Sequence, residues 1–136
     1  MKTYLAALLA LSLGACSSIS DSTWFFQGQV DNLGEPAAEA SGIGIEVIAS
    51  GVVAITGNVV TQCWADGVVL DGDRRGRTLI LNIGRIGQEP CLDEREREHR
   101  YLGIFSGLRG SEYTFRVVNE MGATPVVEME TTLNVE

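Results

Sequence analysis

Residues 112–119 read Glu112-Tyr113-Thr114-Phe115-Arg116-Val117-Val118-Asn119. Tyr113, Phe115 and Val117 fall on one side of an extended chain, and Glu112, Thr114 and Arg116 on the other. Successive side chains point to opposite faces only in a strand, so a period of two marks a half-buried β-strand and not a helix. Turns flank it, Gly107 to Ser111 before and Glu120 to Pro125 after. Working outward, the pattern returns. Val126 to Val135 puts Val127, Met129, Thr131 and Leu133 on one side, and Thr78 to Ile83 puts Leu79, Leu81 and Ile83 on one face. Trp24 to Val30, Ile43 to Ala49, the β-branched run Val52 to Val60, Trp64 to Leu70 and Arg97 to Phe105 complete the set. Gly57-Asn58 reads as a bulge, Asp71-Gly72-Asp73 through Gly76 as a tight turn, and Asp31 to Gly42 and Arg85 to Pro90 as loops. Beyond residue 23 there is no helical stripe, no βαβ alternation and no internal repeat. Seven or eight short strands near ten-residue spacing predict an all-β fold, an immunoglobulin-like antiparallel β-sandwich over residues 24–136.

The first 23 residues follow other rules. Met1-Lys2-Thr3 is a short positive start, and Tyr4 to Leu13 is an apolar run of ten. A membrane-spanning helix needs roughly 20 such residues, so the run has the size of a signal-peptide core instead. It ends Leu13-Gly14-Ala15-Cys16, which resembles the bacterial lipobox: a Leu, two small residues that admit the backbone to a peptidase, and a thiol that takes up diacylglycerol. The expectation is a cleaved leader over 1–15, a lipid on Cys16, and a Ser-rich tether over 16–23. Two or three acyl chains hold firmly where one holds marginally. Ser17 is not Asp, and Asp there is the usual inner-membrane retention signal in Gram-negative cells. The lipobox therefore implies a cell-envelope protein, lipid-anchored, at the outer membrane facing the periplasm or the cell surface.

Charge narrows the partners. The 136-residue chain carries net −8, and its only lysine, Lys2, lies in the leader, so nine arginines against eighteen acids leave −9 after cleavage. That sign repels phosphate backbones and anionic head groups alike. Nucleic acid is excluded as a partner, and contact with the membrane falls to the lipid.

Cys63 and Cys91 remain. In an exported protein a disulfide is the default, and closing a loop of this length is worth roughly 3–4 kcal/mol. A metal site of Cys63, Cys91, His99 and Asp93 is the alternative, but no Cys-x-x-Cys and no His pair supports it. Neither a metal nor a cofactor is expected.

Asp93-Glu94-Arg95-Glu96-Arg97-Glu98-His99-Arg100 is the most unusual stretch. It reads first as a solvated edge whose charges block pairing between sheets. Its second reading is a partner-binding patch of Arg95, Glu96, Arg97, Glu98 and His99. His99 is the only histidine, so Ser-His-Asp chemistry would have to use it. No Gly-x-Ser-x-Gly elbow is present, and catalytic residues are not expected. Trp24-Phe25-Phe26 reads either as a first strand entering the core or as an aromatic segment at a membrane or partner boundary.

Val52 to Gly57, Val60-Thr61-Gln62-Cys63-Trp64, Pro90-Cys91 and Leu108 to Val117 together resemble small secreted bacterial β-sandwich lipoproteins. In these one Cys precedes a strand–turn–strand, a second follows it, and a Leu-x-x-Gly-x-Tyr-type turn opens a late strand. Tyr113 comes one residue later than in the tightest form of that turn. The resemblance covers residues 50 to 119 and brings no catalytic residue with it. Tyr113 is expected either to bond its hydroxyl back to the preceding corner or to be a plain core residue. The function expected from all this is a non-enzymatic binding or structural module with an envelope protein as partner. Inhibition of a secreted or periplasmic enzyme is the alternative, and a small hydrolase ranks last.

Overall fold

The computed structural model describes residues 23–37, 42–87 and 89–136, so the leader, Cys16 and nearly all of the tether lie outside the described residues. Eight strands form: β1 Phe25–Gly34, β2 Gly44–Ala49, β3 Val52–Thr61, β4 Gly67–Arg75, β5 Thr78–Ile86, β6 Arg97–Ser106, β7 Glu112–Asn119 and β8 Val126–Asn134. They make two four-stranded sheets, ordered β1-β6-β3-β2 and β4-β5-β7-β8. The fold is an all-β sandwich. One pair departs from the antiparallel rule: β5 and β7 run parallel, with Leu79 opposite Phe115 and Leu81 opposite Val117.

Alternation puts the core where the sequence pattern places it. Val53, Ile55 and Val59 from β3 and Tyr101 and Phe105 from β6 face Leu79, Leu81 and Ile83 from β5 and Tyr113, Phe115 and Val117 from β7. Phe105 is the aromatic hinge of this layer, 5.0 Å from Phe26, 6.1 Å from Trp24 and 6.2 Å edge-on from Phe115. The opening aromatic triplet therefore splits. Trp24 and Phe26 pack inward, and Phe25, between them, is 62% exposed on the outer face.

Three local readings are corrected. Gly57-Asn58 is no bulge, because β3 and β6 pair without a break from Val53–Phe105 to Thr61–Arg97. Gly57 is needed because the ring of Tyr101 lies over it, where a Cβ would collide with the hydroxyl. Asp71-Gly72-Asp73 is not a turn: β4 runs on to Arg75, and Gly72 makes room for the ring of Phe26. The chain from Trp64 to Asp66 is a turn and not the start of β4. The first two misreadings share one cause. A glycine that clears space for an aromatic ring, from the neighbouring strand at Gly57 or from the facing sheet at Gly72, looks in sequence like a glycine that bends the chain.

All strands run between two ends. One, the turn pole, holds the start of β1, the connections 50–51, 76–77 and 107–111, and the last two residues. The other, the disulfide pole, holds 62–66, 89–96 and 120–125.

Candidate functional site

The disulfide pole gathers the chemistry. β3 ends at Thr61, so the next residues turn across the sandwich and bring Cys63 to Cys91, with Cα atoms 5.9 Å apart and a bond between them. This bridge closes the loop that the two cysteine positions predict. Beside it Trp64 donates its backbone N–H to the Asp93 carbonyl at 2.9 Å. The Arg95 guanidinium lies 4.5 Å and that of Arg97 5.5 Å from the Trp64 ring centre. Arg97 Nη1 also donates to the Trp64 carbonyl at 2.7 Å. The Asp93 carboxylate accepts from the Arg95 N–H at 3.2 Å and its Nη2 at 2.7 Å, and these donors hold it below the ordinary carboxylate range. Asp93 to Arg97 is thus an ordered cover folded onto Trp64.

The charged stretch is not a sheet edge. From Arg97 onward it is β6, an inner strand flanked by β1 and β3. Glu98, 5% exposed, accepts from Asn58 Nδ2 at 2.7 Å and from the Ala37 backbone N–H at 2.9 Å. Those two donors lower its pKa and tie the connection after β1 to β3. His99, 3% exposed, has Nε2 3.1 Å from Thr61 Oγ1. Burial is the first cause, and the nearby Arg97 charge the second, that lowers its pKa and keeps the ring neutral. Of the five residues read as a partner patch, Arg95 and Glu96 lie at the surface, Arg97 is half-buried, and Glu98 and His99 are inside.

Thr61 and His99 look like a nucleophile and its base. The Thr61 hydroxyl, however, also lies 3.3 Å from the carbonyls of Cys63 and Arg97. Among the described residues no carboxylate accepts from the His99 ring, so the third member that would orient a base is missing. The pair links β3 to β6.

Between the bridge and the ends of β3 and β5 lies a cleft of about 460 Å³. Its walls include Val60, the two cysteines, Met121, Asp66 and Glu94. Arg85 reaches in from β5 and donates to Asp66 Oδ2 at 2.9 Å and toward Glu89 at 3.5 Å; these contacts raise its pKa further. Asp66 Oδ1 is buried and has no hydrogen-bond partner. Sequence reading missed Asp66 entirely. Its only signal was an acid two residues beyond Trp64 in a turn, which is ordinary. Among the described residues no group of three His, Cys, Asp or Glu side chains could hold a metal ion.

At the other pole Tyr113 donates its hydroxyl to the Arg109 carbonyl, the corner bond that sequence left open against a plain core role. Arg77 and Arg74 lie over its ring at 4.5 and 5.5 Å. Compared with known protein families, curated proteins and solved structures, the chain matches none.

Proposed function

We propose that this chain is a lipid-anchored lipoprotein of the bacterial envelope whose sandwich is a non-enzymatic binding module, offering its disulfide pole to another envelope component. One spatial observation carries the reading. Thr23, seven residues along the chain from Cys16, lies beside Gly107 at the turn pole, and the disulfide pole lies at the far end of ten-residue strands, about 30 Å away. A lipid at one end leaves the other free to meet a partner. Radiolabelled palmitate tests the anchor: the wild type takes up label and fractionates with membranes, and Cys16→Ala loses both. An unlabelled protein that keeps Met1 overturns it. A photo-crosslinker at position 92 tests the binding role in intact envelopes. A discrete adduct there, with none from position 76, is expected; no adduct at either position overturns it.

The inhibitor reading is favoured by Leu92. It is 91% exposed between Cys91, fixed by the bridge, and Asp93, fixed by Trp64 and Arg95. A backbone braced on both sides of an exposed apolar side chain has little loop entropy to lose when that side chain enters an enzyme pocket. Inhibition of a protease that prefers leucine, lost in Leu92→Asp, would establish it; no inhibition across such proteases removes it.

A further inference from the structure

We infer that the cleft beside the Cys63–Cys91 bridge binds an alkylammonium group, as presented by a lysine side chain of a basic peptide. This rests on the reading of the domain as a binding module and not on its anchor. Two independent observations meet here. The first is an acid without a partner. Asp66 is 2% exposed, lines the cleft, and has one oxygen held by Arg85 while Oδ1 has no donor. A buried carboxylate oxygen left unpaired is costly, and a donor supplied by a ligand recovers that cost. The second is the surrounding charge. The arginines of this pole are engaged within the fold: Arg85 on Asp66, Arg95 on Asp93 and Trp64, Arg97 on Trp64. Glu94 on the cleft wall and Glu96 and Glu120 nearby are exposed. Asp66, Glu89, Asp93, Glu94, Glu96 and Glu120 outnumber Arg85, Arg95 and Arg97 here, so the field at the mouth is negative and draws cations.

The walls select the kind of cation. Val60, Met121 and the two sulfurs offer apolar surface to a methylene stem. Arg85 already occupies Oδ2, so the Asp66 carboxylate cannot be gripped through both oxygens. A guanidinium fork gains most from two acceptors, whereas a compact ammonium suits a single one. The volume holds a lysine with its flanking peptide groups, within the range of small-ligand sites. Oδ1 is sealed against Gly87, where a side chain would collide with it, so an arriving donor must displace that residue.

The test is a titration of the folded, oxidised domain with N-acetyl-lysinamide and with a Lys-Gly-Lys peptide, followed by NMR. The Met121 methyl and the Gln62, Cys63 and Gly87 amides should shift together, more tightly for the peptide and less at high salt. Glu94→Gln, whose exposed side chain makes no contact the fold needs, should weaken binding about three- to five-fold. Asp66→Asn should weaken it further; Arg85 then loses its partner, so the oxidised fold of that variant is first checked by its spectrum. N-acetyl-norleucinamide, which has the stem without the charge, should give no shifts at these sites. Equal shifts with norleucine, an unchanged affinity in Glu94→Gln, or shifts spread over all surface carboxylates with Met121 silent would each overturn the inference. A silent cleft beside a retained position-92 adduct would remove this inference and leave the binding module standing.

Discussion

The two poles of the sandwich are closed by different physics. At the turn pole the backbone does the work. Gly51, Gly76, Gly107 and Gly110 take φ of +71°, +61°, +73° and +94°, which L side chains rarely adopt, and they let the chain reverse in a few residues. Main-chain bonds then knit the turns: Gly51 N–H to Val135 O and Val135 N–H to Ser111 O, both at 2.7 Å, and Leu108 N–H to Gly51 O at 3.2 Å. At the disulfide pole the loops are long, and side chains hold them: a bridge, two guanidiniums on an indole, and Asp66 with Arg85. Short turns made by glycine tolerate little change. Loops pinned at a few side chains can vary between the pins, and surfaces that acquire partners are built from such loops.

The largest expected effect sharpens this contrast. Replacing both Cys63 and Cys91 with Ser should cost roughly 3–4 kcal/mol and lower the melting temperature by on the order of 10 °C. The loss should be local as well as global. Amide exchange at Trp64 and Asp66 should rise well above the global shift, and that at Gly51, Leu108 and Val135 should not. Equal acceleration at both poles would mean that the bridge supports the whole sandwich and that the poles are not separate in kind. Next in size is Gly51→Ala. It forces a side chain into the left-handed region and sets a Cβ 2.5 Å from the Leu108 carbonyl. Strain and clash together should cost about 2–3 kcal/mol in denaturant unfolding, with the bridge intact. A cost under about 0.5 kcal/mol would show that the turn pole adapts as readily as the other.

This contrast also explains what the sequence disclosed. Glu112–Asn119 is readable to the residue because its alternation is a local property of one strand with one wet face. At the turn pole Gly107 to Ser111 was readable as a reversal, while the turn at residues 76–77 was placed too early because Gly72, which makes room for Phe26, was read as part of it. At the disulfide pole the turn from Glu120 to Pro125 and the bridge could be anticipated, the bridge on the expectation that the chain is exported. That Arg95 and Arg97 lie on Trp64, and that Asp66 meets Arg85, depends on contacts between residues 19 to 33 positions apart. No period or spacing encodes such contacts. The charged stretch misled for the same reason: Glu98 and His99 look solvent-bound in sequence and are inside because Asn58, Ala37 and Thr61 answer them.

Smaller effects probe the pins one at a time. Trp64→Ala removes the platform for two guanidiniums and should cost about 1 kcal/mol, with faster proteolysis between residues 92 and 96 than elsewhere. Unchanged proteolysis would leave the bridge as the only pin. His99 supplies a pH signature. Its folded pKa is below the ordinary 6.5, so the unfolded chain binds the proton first. Its contribution is intact above pH 6.5 and is lost as pH falls through the folded value. His99→Gln should flatten the stability curve between pH 6.5 and the onset of carboxylate titration; an unchanged slope there would assign the acid sensitivity to Glu98 and its neighbours.

The smallest effect tests the layer between the poles. Tyr101 is fully buried over Gly57, and its hydroxyl has no partner in the core. An unpaired buried donor contributes nothing that a hydrogen atom would not, so Tyr101→Phe should be neutral or stabilising by under about 1 kcal/mol near neutral pH. The substitution becomes visible only in alkali. Burial, with a smaller push from the Glu128 charge, raises the Tyr101 pKa from 10.0 to about 12. Ionisation therefore favours the unfolded chain, and the wild type should lose stability as pH rises from about 10 through 12, while the Phe variant lacks that part of the loss. Unfolding curves at pH 7 and pH 11 decide it. A variant clearly weaker at pH 7 would mean that the hydroxyl holds a bond the core needs. The middle of the sandwich would then, like the disulfide pole, depend on a polar link and not on packing alone.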